Sequence, residues 1–225
     1  MELITVFSDI CRMPNGLQWH ENHLYIVDQF TDDVLVITLS GDLIKRLSTE
    51  TENGSGITVS DQHIWVASNG PTQSRKFRQS DTHKPMLLKL DAETGQCLEK
   101  FDSPDGGGIH GLAWDDGLIW MTQFNPKSLI LFNPSTKLVI KHFKVNLEVP
   151  HGLAIDTDGI WCSDRLEKVI VKYDATNGNE ISKITLPTDG PDPHGLSIIN
   201  GVLWYSDADF PPPSRGYPEI GMIML

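Results

Sequence analysis

The sequence predicts an all-β fold, a five-bladed β-propeller, and three observations carry that prediction. Five glycines are each followed twelve residues later by a polar residue that closes a short apolar run: Gly16 and Asp28, Gly56 and Ser68, Gly111 and Gln123, Gly152 and Asp164, Gly195 and Asp207. The residue after each glycine is aliphatic (Leu17, Ile57, Leu112, Leu153, Leu196), and nine residues after it stands a large aromatic (Tyr25, Trp65, Trp120, Trp161, Trp204). Finally, no stretch of useful length places apolar residues at helical spacing, whereas short runs bounded by Asp, Asn and Gly recur throughout. A fixed internal period of this kind is the signature of a repeat architecture.

The elements follow in order. Unit four shows the pattern best: HGLAI, GIWCSD, VIVKYD and EISKITL read as four strands joined by DTDG, RLEK and ATNGN, which are turn sequences. Blades are expected at about 14–50, 53–103, 104–145, 146–186 and 187–225 of one domain spanning 1–225. The glycine spacings are 40, 55, 41 and 43, and the long one holds an insertion at 69–85. The last unit supplies only three strands, HGLSI, VLWYSD and EIGMIML. The fourth is expected from the other end of the chain, where residues 2–8 pair into the last blade with four-stranded antiparallel geometry. Closure of this kind removes an exposed sheet edge. The aromatics are expected in the core, and the glycines at the bends leading into the innermost strands.

Composition narrows the function. The net charge of −12 and pI near 4.9 exclude nucleic acid and anionic membrane as natural partners. No apolar run approaches the ~20 residues of a bilayer span, so no membrane association is expected. The segment MELITVFSDICRMP lacks the layout of a signal peptide, and Cys11, Cys97 and Cys162 offer neither a disulfide framework nor a zinc pattern. A cytoplasmic monomer with a small-molecule ligand is the expectation.

Chemistry is sought where the repeat varies. The residue before each glycine is Asn15, Ser55, His110, His151 or His194. In a propeller these positions encircle the channel, and the residue twelve after the glycine is expected beside them. Three readings are open for the histidines. They are structural; or His110, His151 and His194 hold a divalent metal (Mg, Ca or Zn); or they act without metal as acid and base. The catalytic candidates are His151, His194, Asp164 and Asp207. The ligand-binding candidates are Asn15, Asp28, Gln123, Arg75, Arg165 and Tyr217.

Two insertions are expected on the same face. The stretch 69–85 carries Arg75, Lys76, Arg78 and Lys84 against Asp81, a net +3, which leaves −15 elsewhere. It suits a lid over an acidic mouth, or a solvated loop. ADFPPPSRGYPE in blade five is expected to be stiff and to wall the site with Tyr217. Asp156, Asp158 and Gly159 resemble the start of a calcium loop but lack its closing Glu. Gly106–Gly108 precedes no helix and is not a phosphate loop.

PHGLAIDTDGIWCSD, PHGLSIINGVLWYSD and IHGLAWDDGLIWMTQ resemble the repeats of virginiamycin B lyase and its NHL-like propeller relatives. That resemblance implies a propeller and, for activity, a small-molecule lyase or hydrolase. In that family a magnesium-dependent histidine and acidic pair opens a cyclic ester by elimination, on a propeller with more blades. A non-catalytic propeller that binds a protein or ligand on the same face is the alternative. The plant-type glutaminyl cyclases share the blade count but carry glutamate before the glycine in key blades, which this chain lacks.

Overall fold

A computed structural model describes residues 1–60, 62–104, 107–210 and 215–224. β1 (Glu2–Ser8) leaves the chain start, and then the four-stranded units follow in order. Blade one is β2 (Pro14–His20), β3 (His23–Asp28), β4 (Asp33–Ile37) and β5 (Leu43–Ser48); blade two is β6 (Gly54–Ser60), β7 (His63–Asn69), β8 (Pro85–Asp91) and β9 (Cys97–Asp102). Blade three is β10 (Leu112–Asp115), β11 (Leu118–Phe124), β12 (Lys127–Asn133) and β13 (Leu138–Lys144); blade four is β14 (Pro150–Asp156), β15 (Gly159–Asp164), β16 (Val169–Tyr173) and β17 (Glu180–Thr185). Blade five is β18 (Gly195–Ile199), β19 (Val202–Asp207) and β20 (Glu219–Met224), completed by β1 in the sheet order β18-β19-β20-β1. The expected closure is therefore present: Glu2 lies opposite Met224 and Ser8 opposite Glu219. No helix among the described residues is long and apolar enough to cross a membrane.

Strand burial explains the weak alternation of the sequence. The inner strands are covered on both faces by neighbouring blades, so β4, β15 and β16 are buried along their whole length. The outermost strands, such as β17, face solvent. Five apolar clusters result, one at each junction between blades. Tyr25 joins blades one and two, Trp65 blades two and three, Trp120 blades three and four, Trp161 blades four and five, and Trp204 blades five and one. All five aromatics are buried as expected, each removing on the order of 150–250 Å² from water.

The repeat glycines have a different role from the one expected. None of the five has positive φ. Each lies instead where one innermost strand touches the next. A Cβ on Gly16, Gly56, Gly111, Gly152 or Gly195 would lie closer than 3.0 Å to the carbonyl oxygen of Ser55, His110, His151, His194 or Asn15 respectively. Absence of a side chain is thus what lets the five strands close around a narrow axis. Positive φ belongs to the hairpins, where Asp116–Gly117 and Asn200–Gly201 form tight turns.

Candidate functional site

The residues before the five glycines do gather on the axis. Asn15, Ser55, His151 and His194 are all at most 3% exposed, and His110 is half-buried. The imidazoles touch in sequence: His110 and His151 are 4.5 Å apart between ring centres, and His151 and His194 are 4.9 Å apart, edge to face. Adjacent blades hold them there because the glycine beside each lets the backbones meet.

Their ring nitrogens are largely committed. His151 Nδ1 lies 2.8 Å from the carbonyl oxygen of His194. His194 Nδ1 lies 2.8 Å from the Asp192 carbonyl, and its Nε2 2.8 Å from the Phe210 carbonyl. His110 Nδ1, in contrast, is buried without a hydrogen-bond partner. Burial pushes the imidazolium forms down, to about 3 for His110 and about 4 for His194, and His151 also falls well below its usual range. Neighbouring imidazoles add to the fall at His110 and His151, and the charge of Arg165 adds to it at all three. Burial thus favours the neutral ring at all three.

The residues twelve after each glycine point elsewhere. In an extended strand successive side chains face opposite ways, and Asp28, Asp164 and Asp207 turn from the axis to their own loops. Asp164 accepts the backbone N–H groups of Glu148, Val149, Leu166 and Glu167 at 2.5–3.1 Å. Asp28 accepts those of Met13 and Phe30, and the Thr31 hydroxyl. Asp207 accepts those of Asp192 and Asp209, with Arg215 at 3.5 Å, and burial lifts its carboxyl to about 6. Gln123 accepts the Ser128 hydroxyl at 3.5 Å. The expected pairing of His151 with Asp164 and of His194 with Asp207 is replaced by loop capping, and Gln123 turns from His110 to Ser128.

The next residue is the one that meets the axis, and of these the sequence reading named only Arg165. Thirteen after each glycine stand Gln29, Asn69, Phe124, Arg165 and Ala208. Asn15 Nδ2 donates to Gln29 at 2.7 Å, and Asn69 Nδ2 donates to the Ser55 hydroxyl at 2.7 Å. His110 stacks on Phe124 at 4.8 Å, and the Ala208 N–H faces His194 Nδ1 at 3.4 Å. The mouth is therefore two-tiered: an amide half in blades one and two, an imidazole half with Phe124 and Arg165 in blades three to five. The signal that could have found this tier was the alternation itself, since neighbours in a strand cannot both face the channel.

The two insertions are pinned. Arg75 donates to Asp32 and Asp81 at 2.7 Å and to the Thr51 carbonyl at 2.8 Å, with its side chain 9% exposed. Arg78 donates to the carbonyls of Thr49 and Thr31. The segment 70–84 thus straps blade two to blade one, and Arg75 spends its guanidinium on that strap. Tyr217 is exposed and accepts a hydrogen bond from Arg215. Arg215, which the sequence reading did not single out, links Asp207, Tyr217 and Glu219. Pro211, Pro212 and Pro213, expected to stiffen this loop, lie outside the described residues, as does Gly106.

The histidine ring does not fit a divalent metal. Both nitrogens of His194 and one of His151 face backbone carbonyls, and the nearby carboxylates cap loops. Among the described residues no group of three or more His, Cys, Asp or Glu side chains is placed to hold an ion. What the arrangement offers is neutral hydrogen bonding at His110 beside an aromatic face and an arginine. The channel's other end, between the second and third residues after the glycines, holds a separate cavity of about 180 Å³.

No known family model matches the sequence, and no curated protein does. Solved structures match the fold. The glutaminyl cyclase of Myxococcus xanthus is 11% identical with a TM-score of 0.70, covering 100% of this chain and 96% of that one. A streptogramin B lyase is 16% identical at 0.55, covering 100% and 86%. The WD40 propeller domain of Doa1 is 14% identical at 0.57, covering 93% and 63%. The chain is a five-bladed β-propeller. Its resemblance to virginiamycin B lyase holds at the level of the propeller.

Proposed function

We propose that the chain is an enzyme of the lyase or hydrolase kind, acting on a small molecule at the histidine mouth without a bound metal. One observation carries this reading: His110 Nδ1 is buried, unpartnered and held neutral, stacked between Phe124 and His151. A neutral imidazole with an uncommitted nitrogen can accept a hydrogen bond or a proton from a bound substrate, whereas His151 Nδ1 and both nitrogens of His194 face backbone carbonyls. Arg165 supplies positive charge where an oxyanion would develop. Two fold neighbours are named as a lyase and a cyclase, which supports a catalytic reading without assigning one.

The test is turnover of a panel of lactones and cyclic depsipeptides by wild type and His110→Phe, which keeps the aromatic stack. Loss of turnover with an unchanged melting temperature supports the reading. Turnover that survives the substitution, or a panel left untouched, sinks it. The second reading, binding without catalysis, draws on the saturated nitrogens of His194 and on the exposed Leu166 and Phe210 at the rim. Panel members that raise the melting temperature yet stay chemically intact would select it.

A further inference from the structure

The repeat provides an internal comparison on the face opposite the histidines. In blade four the Trp161 indole N–H donates to Asp156 Oδ2 at 3.2 Å, and Lys172 Nζ donates to the same oxygen at 2.8 Å. Lys172 lies across from Trp161 in the β15–β16 pairing, 5.3 Å over its ring. One carboxylate thus bridges an indole and an ammonium. Asp156 stands four residues after the blade's glycine. Blade three keeps the indole half of this arrangement, with Trp120 Nε1 donating to Asp115 at 3.0 Å.

Blade two has the two donors without the acceptor. Lys89 lies across from Trp65 in the β7–β8 pairing, 5.5 Å over its ring, as Lys172 does over Trp161. Four residues after Gly56, however, stands Ser60, whose hydroxyl donates to the His63 carbonyl. Trp65 is 3% exposed, and its Nε1 is buried without a hydrogen-bond partner. Leaving a buried donor unpaired costs about 1–3 kcal/mol. Lys89 forms no ion pair with a described residue. Glu99, opposite Lys89 in the sheet, is turned to Lys137 at 2.9 Å. A cavity of about 230 Å³ is walled in part by Trp65, Lys89, Glu99, Phe101 and Trp114. The Trp114 ring stacks with that of Trp65 at 6.1 Å.

We propose that this cleft between blades two and three binds a small carboxylate with a flat apolar body. Its carboxylate accepts the Trp65 indole N–H and pairs with Lys89, as Asp156 does within blade four, and its body lies against Trp114 and Phe101. The charge-assisted bond supplies the specificity for an anion and the aromatic walls the contact area. This site is independent of the histidine mouth.

Benzoate is the probe, titrated into ¹⁵N-labelled protein while the Trp65 indole N–H resonance, assigned with Trp65→Phe, is followed. A saturable shift is expected. Benzamide, of the same shape without the charge, is expected to bind at least about tenfold more weakly, as is benzoate to Lys89→Met. Ser60→Asp supplies the carboxylate from within, so it is expected to raise the melting temperature and abolish the response. Asp61→Asn, which removes the charge next to Ser60 in the sequence, is expected to leave benzoate affinity unchanged. An unmoved resonance at millimolar benzoate overturns the proposal. So does benzamide binding as tightly as benzoate, or a tenfold gain in affinity with Asp61→Asn, which would make Asp61 the site's own carboxylate.

Discussion

Replacing Gly152 with alanine tests the geometry of the whole ring. A Cβ at that position would sit 2.6 Å from the His194 carbonyl oxygen, 2.5 Å from Leu196 N and 2.6 Å from Gly195 C. Ordinary contact begins at 3.4 Å and the nearest of these atoms is at 2.5 Å, so the two innermost strands must part by about 0.9 Å. All three obstructing atoms are backbone, and none can swing aside as a side-chain end would. Overpacking of this type costs about 1–3 kcal/mol or more. At roughly 2–4 °C per kcal/mol for a domain of this size, the melting temperature falls by about 2–12 °C. The displaced carbonyl is also the partner of His151 Nδ1, so the imidazole resonances of His151 and His194 shift together. Calorimetry and ¹⁵N-histidine spectra are the assays. A melting temperature within about 1 °C of wild type, with unmoved imidazole signals, would refute the close-approach account. Gly201→Ala is the contrast: nothing lies within 4 Å, and only its φ of +76° strains the substitution, so stability falls without any change at the histidines.

Acid should weaken the fold through the histidines. His151 and His194 have depressed folded-state values, so the unfolded chain binds more protons below about 6.5, and stability present above that pH is lost on descending toward about 4. Asp207, raised from 3.8 to about 6, works the other way: its stabilisation is full at low pH and is lost as pH rises through 6. The two imidazoles outweigh it, so the melting temperature drops between pH 6.5 and 5, and His194→Gln flattens that slope; an unchanged slope would be the contrary result. Deleting residues 1–8 removes the six-pair ladder to β20 and with it the partly buried Leu3, Val6 and Phe7. At about half of 1.5–3 kcal/mol each, these side chains alone account for about 2–4 kcal/mol. A melting temperature lowered by at least about 5 °C, with self-association on size exclusion from the open β20 edge, is expected, and a parent-like melt would contradict the closure.

The architecture was legible because it is repeated. Any one of the aromatics from Tyr25 to Trp204 is ambiguous, but five at one offset can only be a shared layer of core. The closing strand was legible for the same reason, since a unit short of one strand at one end matched a spare strand at the other. The site was legible only to its first tier. His110, His151 and His194 share a position with Asn15 and Ser55, so the pattern brought them to the axis. Gln29, Asn69, Phe124, Arg165 and Ala208 share a position too, but no common chemistry, and only the charged Arg165 stood out as a candidate. The aspartates misled because a carboxylate near a histidine suits catalysis and loop capping equally, and only strand alternation separates the two. Arg75 was out of reach: its partner Asp32 lies 43 residues away in sequence, and that contact arises only once blades one and two are side by side.

The glycine contacts share one rotational sense. Each glycine leans on the carbonyl of the blade that follows, from blade one round to blade five and back to Asn15. A steric contact pushes equally on both partners, so coupling between any two blades is the same in either direction. His110, His151 and His194 occupy one continuous arc of the ring, two contacts from first to last, whereas the other way round passes through blades one and two, the amide half. Coupling between substitutions on this propeller should be ordered by the number of contacts along the shorter arc.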